Sequence, residues 1–419
     1  MNLRDDITTL TDDQQKAFEK FSKLKVGALF MKQGSGKTRV ALELVKTTDS
    51  GFVLFICPFS VKKSLLDEIE LWGINKDFEI IGYETISSSD REYLRVLDKL
   101  KESYKPFIIA DESVFIKNDT SKIHNRMLKF RGVSEYRLIL NGTPITRDEW
   151  DIYNQMEFLS HKIFDMHRHE FLNTFFKTIR FKKRGMPVRE FKKLSEVNID
   201  YLRKLIAPYI FEADLKFDKK ETEKEIFVDY SDECYERYQE KKENLLNSLE
   251  YGLAVVQQFT NLAVACFDDK KRHEEIAKHL KGQIIVFCTL LSEVKNISNK
   301  IDCYVITGET KPADRTKILN DFKKDSKPLL LTFGTGAFGL NLQFCNRIAF
   351  ASLTFDYARI DQAMSRIKRL GQKNDIEYTY FTSNLGVYNM IKSNITKKQN
   401  LKELIVDKIE KGELNENSL

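Results

Sequence analysis

Ten short apolar runs, in two sets of five, constrain this chain more than any other feature. The first set covers residues 26–31, 51–57, 78–81, 107–110 and 137–140; the second covers 283–288, 303–306, 328–332, 347–351 and 376–381. Each run is almost continuously hydrophobic and rich in β-branched or aromatic residues, as strands buried on both faces of a parallel sheet must be. Helical patterns such as 61–72 and 315–322 lie between them. Strand and helix in alternation predict an α/β fold: two parallel sheets, each with helices on both faces. Between the two sets, residues 151–279 read as mainly helical and carry a basic stretch (Lys177, Arg180, Lys182, Lys183, Arg184, Arg189, Lys192, Lys193). Residues 387–411 read as an amphipathic Lys/Glu-rich helix.

At 419 residues the chain has room for two or three domains. No apolar run reaches the roughly 20 residues that span a bilayer, and the N-terminal residues lack the apolar core of a secretory signal. Neither a membrane partner nor export is expected. Six cysteines stand singly with no C-x-x-C pair, which argues against a zinc ribbon or a disulfide scaffold. A net charge of +6 permits a polyanionic partner without requiring one.

The first strand run leads into Gln33-Gly34-Ser35-Gly36-Lys37-Thr38 and then a helical stretch from Val40. Strand, glycine turn and helix start in that order form a phosphate cradle. Glycines let backbone N–H groups approach the oxygens, and the helix N-terminus adds partial positive charge. Lys37 would reach the β- and γ-phosphates of ATP and the Thr38 hydroxyl would hold magnesium. Met31 stands where the full pattern has its first glycine. The fourth strand run ends on Asp111-Glu112, at the sheet edge where such folds bind ligands. Asp111 suits the ion, and Glu112 suits a base that polarises the attacking water. His161, Asp165, His167 and His169 lie close together, but without cysteine or a defined turn they read as a polar helix end rather than a zinc site.

Further motifs follow in order. Ile56-Cys57-Pro58-Phe59-Ser60 with Trp72, Asp111-Glu112-Ser113-Val114 through Ile116-Lys117-Asn118, Leu140-Asn141-Gly142-Thr143-Pro144, Gly339-Leu340-Asn341-Leu342, and Gln362-Ala363 through Arg366, Arg369 and Gly371-Gln372 together resemble the superfamily-two helicase-like ATPases. The Ile-Lys-Asn extension and the Gly-Gln ending are similar to the Swi/Snf-type DNA translocases within them. The resemblance implies two RecA-like lobes with ATP in the cleft: residues 1–155, helical insertions and a linker over 156–275, a second lobe over 276–385, and a C-terminal helical segment over 386–419. It implies that Arg369 is the arginine finger on the γ-phosphate, supported by Arg366, with Gln362 in the same cleft. Gln14, in Thr11-Asp12-Asp13-Gln14, resembles the family's adenine-reading glutamine. Duplex DNA is the implied partner, with DNA-bound proteins as remodelling targets. Ser60, Lys62, Thr143, Thr310, Arg315, Thr335 and Asn341 are its candidate backbone contacts.

The chain departs from the pattern at Val114 (usually His), Asn141 (usually Thr) and Gly334 (usually Lys), and at Phe355-Asp356-Tyr357, where a Trp-Asn-Pro is usual. These leave the ATPase residues in place and bear on DNA coupling. The expectation is therefore an ATP-hydrolysing, DNA-translocating motor core, monomeric, in the cytoplasm of a bacterium or phage-infected host or otherwise intracellular. The alternatives are a strand-separating helicase, an RNA-dependent ATPase, or a non-enzymatic DNA-binding protein with a degenerate nucleotide site.

Overall fold

The computed structural model describes residues 9–142, 150–181, 189–195, 197–247, 253–336, 340 and 342–397. The chain forms two compact units, Met1–Ile179 with Lys192–Lys216 and Arg180–Phe191 with Phe217–Leu419.

In the first unit, β1 (Val26–Met31), β2 (Phe52–Cys57), β3 (Asp77–Gly82), β4 (Phe107–Asp111) and β5 (Tyr136–Asn141) fall on the five expected runs. All pair in parallel, in the order β3-β2-β4-β5-β1, and the short strand β8 (Ile210–Ala213) adds beside β1. Alternate residues feed two separate cores. Ala28, Phe30, Leu54, Ile56, Ile108 and Ala110 pack on one face; Leu29, Met31, Val53, Phe55 and Ile109 pack on the other. That two-sided burial is why the runs are apolar throughout and not alternating.

The second unit repeats the device. β10 (Ile285–Cys288), β11 (Tyr304–Ile306), β12 (Leu329–Thr332), β13 (Arg347–Phe350) and β14 (Ile376–Thr382) pair in parallel in the order β11-β12-β10-β13-β14, with β9 (Glu221–Phe227) outside β14. Ile285, Phe287, Leu329, Leu331, Ile348 and Phe350 face one core; Val286, Cys288, Leu330 and Ala349 face the other. Truncating one such side chain to alanine costs about 2–5 kcal/mol. The doubly wound architecture is the RecA-like one expected.

The helical insertions are present, among them Arg168–Phe175, Ile199–Ile206, Asp232–Asn247 and Leu253–Phe267. The same stretch also supplies four strands that the helical reading of 151–279 left out: β6 (Phe176–Phe181) and β7 (Arg189–Leu194), which pair as a two-stranded sheet, and the edge strands β8 and β9. Six of the seven β9 residues are exposed, so it lacks the apolar signature of the inner strands. The basic stretch lies largely on β6, β7 and the residues joining them; 182–188 lie outside the described residues. The C-terminal helix runs Gly386–Lys397, and the rest of the expected 387–411 helix also lies outside.

Candidate nucleotide site

Because the strands of the first sheet are parallel, the loops after β1, β4 and β5 leave the same edge. The loop after β1 opens helix α2 (Lys37–Thr47) through two left-handed glycines, Gly34 (φ 80°) and Gly36 (φ 81°). Gly36 is the α2 N-cap; it offers no side-chain cap, and the first turn holds no acidic residue. Helix α1 (Asp12–Phe21) is the contrast, closed by a Thr11/Gln14 capping box with Asp12 and Asp13 in its first turn. The amide groups opening α2 thus receive no hydrogen bond from an N-cap side chain, which is compatible with a phosphate site. Ser35 adds a buried hydroxyl with no hydrogen-bond partner among the described residues. Lys37 Nζ donates to the Met31 carbonyl at 2.9 Å and the Lys32 carbonyl at 3.4 Å, so the ammonium lies over the loop.

Gln14 braces this loop. Its Nε2 donates to the Ser35 carbonyl at 2.9 Å, while its Oε1 accepts from the Thr11 N–H at 3.0 Å. A Cβ on Gly36 would stand 2.3 Å from Gln14 Nε2, so a second reason for glycine there is this close approach. The residue expected to read adenine thus sits at the phosphate loop with both ends of its amide engaged. Trp72, flagged by its position in the family pattern, carries Arg39 of α2 over its ring at 3.9 Å.

Asp111 ends β4, and Glu112 follows in left-handed backbone (φ 51°, ψ 55°) with its N–H donating to Asp111 Oδ1 at 3.0 Å. Fully buried Tyr83 donates its hydroxyl to the Asp111 carbonyl at 3.0 Å and stacks on Phe115 with ring centroids 5.1 Å apart. Burial, reinforced by the Asp111 charge, pushes the Tyr83 phenol well up and the Cys57 thiol up to about 12, so both stay neutral beside the carboxylates. One residue that the motif reading left without a role stands out. Gln33 Nε2 donates to Glu112 Oε1 at 3.3 Å. Its contact depends on two loops far apart in sequence meeting, which no local pattern encodes. The magnesium donors fit in kind: a hydroxyl (Thr38) and a carboxylate (Asp111) are hard oxygen ligands of the sort that ion takes together with phosphate and water. Among the described residues no group of three or more His, Cys, Asp or Glu could hold a metal by itself.

In the second unit, Gln362 is half-buried on the helix Tyr357–Met364, and Arg366 and Arg369 follow on the turns after it. Arg366 is buried, its Nη1 donating to the Leu340 carbonyl at 3.4 Å, and Arg369 Nε donates to the Ser365 carbonyl at 2.9 Å. Gln372, read as part of a family ending, is a staple. Its Nε2 donates to the carbonyls of Gln343 (3.0 Å), Cys345 (3.0 Å) and Ile367 (3.2 Å).

The candidate DNA contacts have mixed placements. Lys62 is half-buried with its ammonium 6.0 Å from the exposed Phe59 ring. Arg315 staples its own loop, donating to the carbonyls of Thr310 (2.8 Å) and Thr307 (3.2 Å), while Thr310 Oγ1 accepts the Thr307 N–H at 2.9 Å. Thr335 is buried with its hydroxyl 2.9 Å from that of Thr332. Thr143, Asn341 and the Ser60 side chain lie outside the described residues. No helix among the described residues is long and apolar enough to cross a membrane.

A family model described as the helicase conserved C-terminal domain matches residues 269–371. Among curated relatives, the chromatin structure-remodeling complex protein SYD of Arabidopsis thaliana is 23% identical over 84% of this chain and 12% of its own length. The SWI/SNF chromatin-remodeling complex subunit snf22 of Schizosaccharomyces pombe is 25% identical over 88% of this chain and 26% of its own. The chain therefore spans about an eighth to a quarter of the length of these two relatives. A solved structure, the Sulfolobus solfataricus SWI2/SNF2 ATPase core in complex with dsDNA, aligns over 98% of this chain and 96% of that one at 22% identity, with a TM-score of 0.42. The model of the SNF2-related domain matches residues 69–299, more than half of the chain, and this protein belongs to the SNF2-related family of helicase-like ATPases.

Proposed function

We propose that the chain is an ATP-driven translocase on double-stranded DNA, of Swi/Snf type, with DNA-bound proteins as the objects it remodels. One observation carries the reading most: an uncapped helix start with two left-handed glycines and Lys37, on the same sheet edge as Asp111 and Glu112. The α2 amides, Lys37 and Ser35 bind and orient the phosphates. Thr38 and Asp111 would hold the magnesium ion, which when bound would supply charge against the phosphate oxygens. Glu112 orients the attacking water and takes its proton at a carboxylate oxygen. Arg366 and Arg369 answer the charge that develops on the transferred phosphoryl, and Gln362 serves the same nucleotide. Coupling to the duplex runs through backbone phosphates, which makes it independent of sequence and sensitive to salt.

The domain limits follow this division of labour: residues 1–155 bind nucleotide, 276–385 supply the arginines, and 156–275 with 386–419 support them. A translocase displaces the third strand of a DNA triplex and leaves a forked duplex paired. Triplex displacement that requires ATP and fails in Lys37→Ala supports the reading; fork unwinding without triplex displacement replaces it with a strand-separating helicase.

A further inference from the structure

We infer that Gln33 is a positioning residue that holds the Glu112 carboxylate in place for the attacking water, an inference that rests on the role proposed above for Glu112. Two independent contacts place it. Its Nε2 donates to Glu112 Oε1 at 3.3 Å. Its stem runs across Gly142, where an added Cβ would come within 2.7 Å of Gln33 Cγ and 3.6 Å of Cδ. A single amide thereby ties together the loops that follow β1, β4 and β5, strands that lie side by side in the order β4-β5-β1. Gly142 accordingly has a steric reason to lack a side chain: only a bare α-carbon leaves room for the glutamine to reach across.

The chemistry suits the task. Glu112 begins from left-handed backbone, and a carboxylate there has several side-chain rotamers of similar energy. Misplacing a reacting group by about 1 Å costs on the order of 100-fold in rate. A neutral amide fixes the carboxylate by donating a hydrogen bond. A lysine in its place would pair with the carboxylate as an ion and set a second cation beside Lys37. Gln33 touches neither water nor phosphate in this role, so it acts through Glu112.

The test is ATP hydrolysis by Gln33→Met, which keeps the length of the stem and its packing on Gly142 but removes the donor. The expected result is a fall in kcat of about 10- to 100-fold, the size of one hydrogen bond to a charged group. KM for ATP and the melting temperature should stay near those of the unsubstituted chain. In a Glu112→Gln background, followed by single-turnover hydrolysis, the same substitution should cause no further loss, because the two residues act as one unit. Gly142→Ala, which pushes the glutamine stem aside, should lower kcat in the same way. Full kcat in Gln33→Met overturns the inference, as does a raised KM at unchanged kcat or an equal loss in the Glu112→Gln background. These results leave the proposed function standing provided Glu112→Gln alone lowers turnover by about 10²- to 10⁴-fold; a Glu112→Gln variant as fast as the unsubstituted chain overturns both.

Discussion

Two buried or half-buried cationic sites in the second unit differ in the work proposed for their charge. Arg272 is fully buried at 3.5 Å from the equally buried Glu293, stacks near Tyr230 and Phe267, and donates to the Ala351 carbonyl. Glu293 in turn accepts from the Thr289 and Leu290 N–H groups (each 2.9 Å) and from the Ser352 hydroxyl (2.8 Å). Burial pushes the Glu293 carboxyl up, and these donors together with the guanidinium pull it back. Arg366 donates to the Leu340 carbonyl and Arg369 to the Ser365 carbonyl, contacts that fix the direction of each side chain. The first arrangement spends its charge inside the fold. The second, in the function proposed above, answers charge on phosphate. In the first unit the same logic separates α1, whose N-terminus is closed by a capping box, from α2, whose N-terminus has no side-chain cap and is the proposed phosphate site.

Substitutions can break this contrast. Arg369→Ala should lower ATP turnover by about 10³- to 10⁵-fold, the range of an arginine finger, while the melting temperature stays put. Thermal denaturation beside phosphate release checks both, and a stability loss with near-normal turnover would place Arg369 in the class of Arg272. Glu293→Ala should do the opposite. It leaves a guanidinium buried without its counter-charge, at a cost of about 3–5 kcal/mol in urea unfolding. A change below about 1 kcal/mol, typical of exposed pairs such as Lys101–Asp98, would mean the site is wetter than its burial indicates.

A smaller effect comes from two histidines. Burial lowers the pKa of His124 and of His273 below the ordinary 6.5, against the upward pull of the Ile116 and Phe267 carbonyls that each ring meets. The unfolded chain therefore binds more protons below that value, and stability present above pH 6.5 is lost as the pH falls through the lowered values. The slope is at most about 1.4 kcal/mol per pH unit for each imidazole. Melting temperatures taken between neutral pH and the upper edge of carboxylate titration should fall on acidification; a flat profile would contradict the buried neutral rings.

The eight inner strands were legible because burial on both faces demands uninterrupted apolar residues, as in β2 and β10, and the edge strands β3 and β11 keep enough apolar residues to be read with them, though nothing obliges an edge strand to do so. Edge strands escape that demand. β9 reads Glu-Thr-Glu-Lys-Glu-Ile-Phe and pairs only on one side, where Glu221 and Glu225 meet Lys368 and Lys392. The site divides likewise. Lys37, Thr38, Asp111 and Glu112 were readable from local pattern, since each occupies a fixed step after a strand. Gln33, and the bracing action of Gln14, depend on loops far apart in sequence. Gln372 shows the reverse case, a residue legible as a family signature whose work in the fold is to gather three carbonyls.

The most direct test of the central claim is ATP hydrolysis measured with duplex DNA, single-stranded DNA, RNA and no nucleic acid, in the unsubstituted chain and in Glu112→Gln. Turnover should be raised most by the duplex, and lost in Glu112→Gln by about 10²- to 10⁴-fold while ATP binding persists. Hydrolysis indifferent to duplex DNA, or a Glu112→Gln variant that keeps its rate, would contradict it.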